Sequence, residues 1–207
     1  MAHLAADSDT DKTARIKELR ALKLEPIIEI LRYGLESDKE AALVEAVAID
    51  LIGVNELTNV IRGQGSSEKG RSSLEDLRLE LETKEASITH KVLLVNIAQL
   101  YSYGMTPLAL YEATRGVWKL DRARADNVEY AFAVYRGVVR EVYEVASWFP
   151  AGTTEYFGRT HDSVADLERF EFVGRIADQS ILTKYRGKSV RDQWTQGAQN
   201  PIKYINC

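Results

Sequence analysis

Two runs rich in Val, Tyr and Phe, Tyr130–Tyr135 and Val138–Val145, stand with only Arg136-Gly137 between them. Side chains of this kind fit a pleated, half-buried surface. A two-residue connection ending in glycine closes such runs into an antiparallel hairpin. Further extended segments surround it. Thr89 to Ala98 has strand composition, and Pro201 to Cys207 reads as a last strand. Phe170, Phe172, Gly174 and Ile176 alternate with Arg169, Glu171, Val173 and Arg175, the pattern of a half-buried strand. Thr106-Pro107 opens a helix to about Thr114, with proline at the first helical position, where its missing N–H is not needed. Asp178 caps a short helix ending near Tyr185. Four or five strands with two helices predict a small α+β, barrel-like domain over residues 88–207.

The first half reads helix, strand, helix. Ile16, Leu19 and Leu22 are helically spaced within Asp11 to Lys23, and basic residues fall toward the C-terminal end. Pro26 forces Glu25 out of the helical region. Ile27, Ile28, Ile30 and Leu31 then predict a short strand ended by Gly34. Ser37-Asp38-Lys39-Glu40 is a capping box that opens a helix to about Ile52, with Gly53 as its stop. Residues 62–73 are Gly- and Ser-rich and read as a connector, because the lysine spacing of a phosphate-cradling loop is missing. Ser73 to Glu82 predicts a short charged helix. The organisation expected is therefore 1–63, a linker with a short helix at 64–87, and 88–207.

Composition excludes several classes. The longest apolar candidate, Ala41 to Val54, is broken by Glu45 and Asp50 and falls short of the roughly 18 residues of a membrane helix. Asp7, Asp9 and Asp11 leave no apolar core for a signal peptide, so no membrane partner and a cytoplasmic setting are expected. A single cysteine, Cys207, excludes a disulfide framework and a cysteine zinc site. The net charge of −4 is unevenly spread. Residues 1–90 carry 12 Lys and Arg against 18 Asp and Glu, while residues 91–207 carry 15 against 13. Lys184, Arg186, Lys188, Arg191 and Lys203 face only Asp192 over residues 184–203, the one basic segment.

Helical projection at about 100° per residue puts Leu51, Val44, Ala48, Ala41 and Ile52 on one stripe, with Glu45 just inside its edge. A carboxylate there is paired, hydrogen-bonded or metal-bound, because burying it alone is costly. From periodicity the paired reading is the more frequent one. The residues that follow Glu45, Ala-Val-Ala-Ile-Asp-Leu-Ile-Gly-Val-Asn-Glu-Leu-Thr-Asn59, resemble the C-terminal signature of GIY-YIG nuclease domains. Leu24 to Leu31, Lys39-Glu40-Ala41 and Arg62-Gly63 extend the resemblance toward the branch related to LEM-domain endonucleases. The resemblance covers about residues 3–63. It implies a metal-dependent DNA endonuclease in which Glu45 binds one divalent ion, Mg²⁺, Asn59 buttresses the site, and His3 matches a histidine after the second strand.

The family's hairpin of Gly-Ile-Tyr and Tyr-Val-Gly motifs, with its catalytic tyrosine, has no counterpart, since the sequence opens after that point. Tyr33 is no substitute because it belongs to the predicted third strand. Phosphodiester cleavage needs a metal, a base for water and cations for the developing charge. The chain as it stands is therefore expected to be catalytically incomplete. An unpaired strand at Ile27–Leu31 also suggests a homodimer through that edge.

In the second half, Leu110 to Trp118, Tyr130 to Tyr143, Phe170 to Gly174 and Asn200 to Asn206 resemble the C-terminal domain attached to bacterial GIY-YIG proteins, with a PUA-like cast. That resemblance implies nucleic-acid binding, DNA rather than RNA. Arg115, Trp118 and Arg140, with Trp148, are candidates to line a groove where bases stack and cations meet phosphate. The competing reading places Trp118 and Trp148 in the core, where tryptophan is mostly found. Lys184, Lys188 and Arg191 are the candidate phosphate contacts. No Gly-x-Ser-x-Gly elbow, histidine pair at ligand spacing or dinucleotide fingerprint occurs. Two other functions stay open: a nucleic-acid-binding module without catalysis, and a protein-interaction domain.

Overall fold

The computed structural model describes residues 11–27, 31–52, 70–102, 104–194 and 200–207. The chain divides into two compact units, Met1–Arg71 and Ser72–Cys207.

The first unit contains α1 (Asp11–Ala21) and α2 (Asp38–Ile52). α1 ends on a left-handed residue, Lys23, at φ 60°. The Leu24 amide then donates to Leu19 O and the Lys23 amide to Arg20 O, both at 2.9 Å, which satisfies carbonyls the last turn would orphan. At the start of α2 the Ser37 hydroxyl accepts from the Glu40 amide at 3.3 Å. The Glu40 carboxylate accepts from the Glu36 amide at 2.9 Å, one residue earlier than a strict capping box would have it. Ala46 and Ile49 are the buried residues of α2, whereas Leu43, Leu51 and Ile52 are exposed. The expected stripe of Leu51, Val44, Ala48, Ala41 and Ile52 is thus not the buried face, and Glu45 is exposed rather than tucked into it. The helix carries apolar residues of its own on every side, so periodicity alone selects the wrong one. The strand expected at Ile27–Leu31, and with it the edge dimer, rests on residues 28–30, outside those described.

The second unit is α+β. It comprises α3 (Leu74–Glu82), β1 (Val92–Asn96), α4 (Pro107–Arg115), β2 (Gly116–Trp118), α5 (Arg122–Ala125), β3 (Tyr130–Tyr135), β4 (Val138–Ala151), α6 (His161–Val164), β5 (Asp166–Ile176), α7 (Gln179–Tyr185) and β6 (Ile202–Ile205). The six strands form one curled mixed sheet in the order β2-β5-β4-β3-β1-β6. β1 runs parallel to β3, and every other neighbouring pair is antiparallel. The hairpin forms where the sequence places it. Arg136 and Gly137 have φ 51° and 73°, the two positive values of a tight turn whose twist matches its strands.

Val92, Leu93, Leu94 and Val95 of β1 are all fully buried, as a strand covered on both faces requires. Leu93 and Val95 join Ala131, Tyr143, Trp148 and Phe172 in one core. Val92 and Leu94 join Phe132, Val142, Tyr185 and Val190 in the other. Ala113 of α4 belongs to the first core and Tyr185 of α7 to the second, so these helices cover opposite faces. α4 begins as the sequence indicates, with the Thr106 hydroxyl accepting from the Ala109 amide at 3.2 Å. Asp178 precedes α7 without a side-chain capping bond. β4 extends past Val145 to Ala151, with bulges after Val145 and Pro150 that let it keep pairing with β5.

Candidate nucleic-acid interface

α3 uses two of its sides. Glu80 reaches the β3–β4 hairpin, where its carboxylate lies 2.9 Å from Arg140 and 3.5 Å from Arg136. All three side chains are nearly buried. Arg136 and Arg140 also lie over the ring of Tyr135, which stacks on Tyr101 at 4.0 Å between centroids. Arg78, Leu79 and Glu82, by contrast, line a cavity of about 500 Å³.

The opposite wall of that cavity is the turn after α7. Gly187 has φ 75°, a conformation that favours glycine, and it lets the chain reverse so that Lys188 returns toward the sheet. Gly187 N–H donates to Val139 O at 2.8 Å, and Val139 N–H donates to Lys188 O at 3.0 Å. Residues 84–86 run alongside this turn. Ser189 N–H donates to Lys84 O at 2.9 Å, and Ala86 N–H donates to Ser189 O at 2.7 Å. The Thr83 hydroxyl donates to Gly187 O. Main-chain bonds thus hold Lys84 and Lys188 side by side, and with Arg78 and Arg186 they surround the cavity. Glu82 is the one acid in its lining. Arg186 also approaches Glu141 at 3.6 Å.

The residues singled out from the sequence scatter over several places. Lys188 lies in the cavity wall. Lys184 instead donates to the Thr89 hydroxyl at 2.7 Å. Arg191 donates from Nε to Arg136 O at 3.2 Å, against the hairpin turn. Arg140 is held by Glu80. Arg115 and Trp118 are buried, so they form no open stacking groove with Arg140. Trp118 donates its indole N–H to Thr114 O at 2.7 Å and packs in the first core with Trp148. Arg78 and Lys84 escape a reading of the sequence because they fall in what looks like a linker, and no local pattern announces that residues 78–84 meet 186–188.

Arg115 belongs to a buried polar network. Its guanidinium lies 3.6 Å from the Glu171 carboxylate, bonds the Thr154 hydroxyl, and stacks over Tyr156 at 4.0 Å from the ring centroid. Glu171 also accepts from the Gly152 amide at 2.9 Å and from the Thr154 amide at 2.8 Å. Burial disfavours its charge, but the bonds from Gly152 and Thr154 outweigh that and hold the carboxyl below the usual carboxylate range. Burial pushes the Tyr156 phenol up to about 12. Elsewhere in the unit, Tyr185 OH lies 2.6 Å from His90 Nδ1 and accepts from the Thr89 amide at 3.3 Å. The Arg115–Glu171 pair is buried, whereas the Tyr185 phenol meets the partly buried His90 and the exposed Thr89, and both sets tie loops to the sheet.

Glu45 stands exposed on α2, while His3 and Asn59 lie outside the described residues. Among the described residues no three His, Cys, Asp or Glu side chains converge as a metal site. Mg²⁺ is commonly held by one or two carboxylates with water and substrate phosphate, and of the residues the nuclease resemblance places around it only Glu45 is among those described. Among the described residues no helix is long and apolar enough to cross a membrane. No family model, curated protein or solved structure matches the chain.

Proposed function

We propose that the chain binds nucleic acid through its second unit, with DNA as the first ligand to test and without cleavage as its own activity. The observation that carries this reading is the cavity where Arg78, Lys84, Arg186 and Lys188 converge against Glu82. Cations gathered at a surface attract phosphate, and each one that meets a phosphate releases condensed counterion. The chain's net charge of −4 makes a diffuse, whole-molecule attraction the weaker explanation, so binding is local. The GIY-YIG and PUA-like resemblances agree with this choice of ligand, the second by fold analogy alone.

Fluorescence anisotropy of the full chain against single- and double-stranded DNA, at two salt concentrations, tests it. Binding should weaken steeply with salt. Replacing Lys84 and Lys188 together by Ala should flatten the salt slope by about 0.7–0.9 for each phosphate no longer neutralised. Absence of salt-dependent binding to either form would sink the proposal and leave a protein-interaction role as the better account.

A further inference from the structure

Resting on that reading, we infer that the cavity takes a phosphate monoester, the terminal phosphate of a nucleic-acid strand, rather than a stretch of internal backbone. Three features of the lining lead there. The first is extent: the space is an open cleft of about 500 Å³, within the range of small-ligand sites, so its cations gather over the span of about one nucleotide. The second is charge. Four cations and one carboxylate line the space, with Arg186 shared with Glu141. An internal phosphodiester brings one negative charge, whereas a monoester brings about −1.5 to −2 at pH 7 and three acceptor oxygens. The monoester is the better match for converging Lys and Arg donors. The third is the kind of side chain present. The lining, from Arg78 and Leu79 round to Gly187 and Lys188, includes no aromatic ring, so it offers no platform on which a base would stack. Thr83, which could otherwise read a hydroxyl or base edge, donates its proton to Gly187 O. What remains is recognition of a charged phosphate end, indifferent to base identity.

Glu82 gives the inference a handle that misfolding cannot imitate. Its carboxylate lines the same space and repels the anion, so Glu82→Gln should tighten binding. The test uses the full chain and one internally labelled single strand in three forms: 5′-phosphorylated, 3′-phosphorylated, and with hydroxyls at both ends. One phosphorylated form should bind about tenfold tighter than the hydroxyl form, the effect of one extra charged hydrogen bond. The preference should vanish in Lys84→Ala/Lys188→Ala, with circular dichroism unchanged, and grow severalfold in Glu82→Gln. Adenosine monophosphate and inorganic phosphate serve as competitors. If all three strands bind equally, with salt dependence intact and sensitive to the lysine pair, the end-binding inference is overturned and the nucleic-acid reading stands. If no strand binds, the nucleic-acid reading falls. Competitor binding without strand binding overturns the strand end as the source and supports a free nucleotide or phosphate in the same cavity.

Discussion

Arg115, Arg136 and Arg140 lie inside the second unit, each facing a carboxylate. Arg78, Lys84 and Lys188 surround a cavity whose one acid is Glu82. The same kind of side chain therefore has two fates. Burial raises the cost of an unpaired charge, so every one of these inward arginines has brought its acid with it: Glu171 for Arg115, Glu80 for the hairpin pair. Where water still reaches the cations, no such matching is enforced, and an excess of positive charge persists. The first set holds loops and a helix to the sheet. The second set is where an anion gains most by arriving.

The sharpest way to break this contrast is at the buried pair. Arg115→Ala leaves the Glu171 carboxylate buried without its cation and should cost about 3–5 kcal/mol in urea denaturation. A loss no greater than that of a surface change would put Arg115 in the second set instead. Acid attacks the same pair from the other side. Glu171 is held below the usual carboxylate range in the folded protein. Its contribution is thus complete above the unfolded value of about 4.3 and is lost as pH falls through the lower, folded one. Thermal melts below pH 4 should therefore show wild type losing stability faster than Glu171→Gln. Parallel acid profiles would remove Glu171 from that role.

Glu80→Gln should cost less, about 1–3 kcal/mol, since the amide still accepts a hydrogen bond but no longer offsets two guanidinium charges. Thermal melts measure the loss, and because the three side chains are nearly buried, added salt should restore little of it. Gly187→Ala should cost about 1–2 kcal/mol because its φ of 75° disfavours a Cβ. It should also weaken DNA binding by shifting Lys188. At the small end, Lys84→Ala should leave stability within about 0.5 kcal/mol while reducing the salt slope of DNA binding. A large stability loss there would mean the cavity lysines are structural after all, and the contrast between the two sets would dissolve.

Much of the second unit is readable from the chain because its signals are local. The Arg136-Gly137 turn, the Thr106 cap and the alternation at 169–176 each act over a few residues. β2, α5 and α6 escape notice because three or four residues carry no period, and the continuation of β4 through Pro150 runs against proline's usual place in a sheet. The cavity is harder still. Arg78 and Lys84 stand about a hundred residues before Arg186 and Lys188, and only the pairing of 84–86 with the turn after α7 joins them. Trp118 and Arg140 mislead for a related reason: an arginine or tryptophan suits either a ligand or an interior, and burial decides which.

β1 lies between β3 and β6, and these two partners become available at very different times. A ribosome adding about 5–20 residues per second delivers Ile202–Ile205 about 5–20 s after Val92–Val95. Through that interval the most apolar strand of the second unit has one edge able to pair with any other nascent strand. The second unit is in this sense a fold that must wait for its own last strand, and its yield in a cell should depend on whatever shields β1 until then.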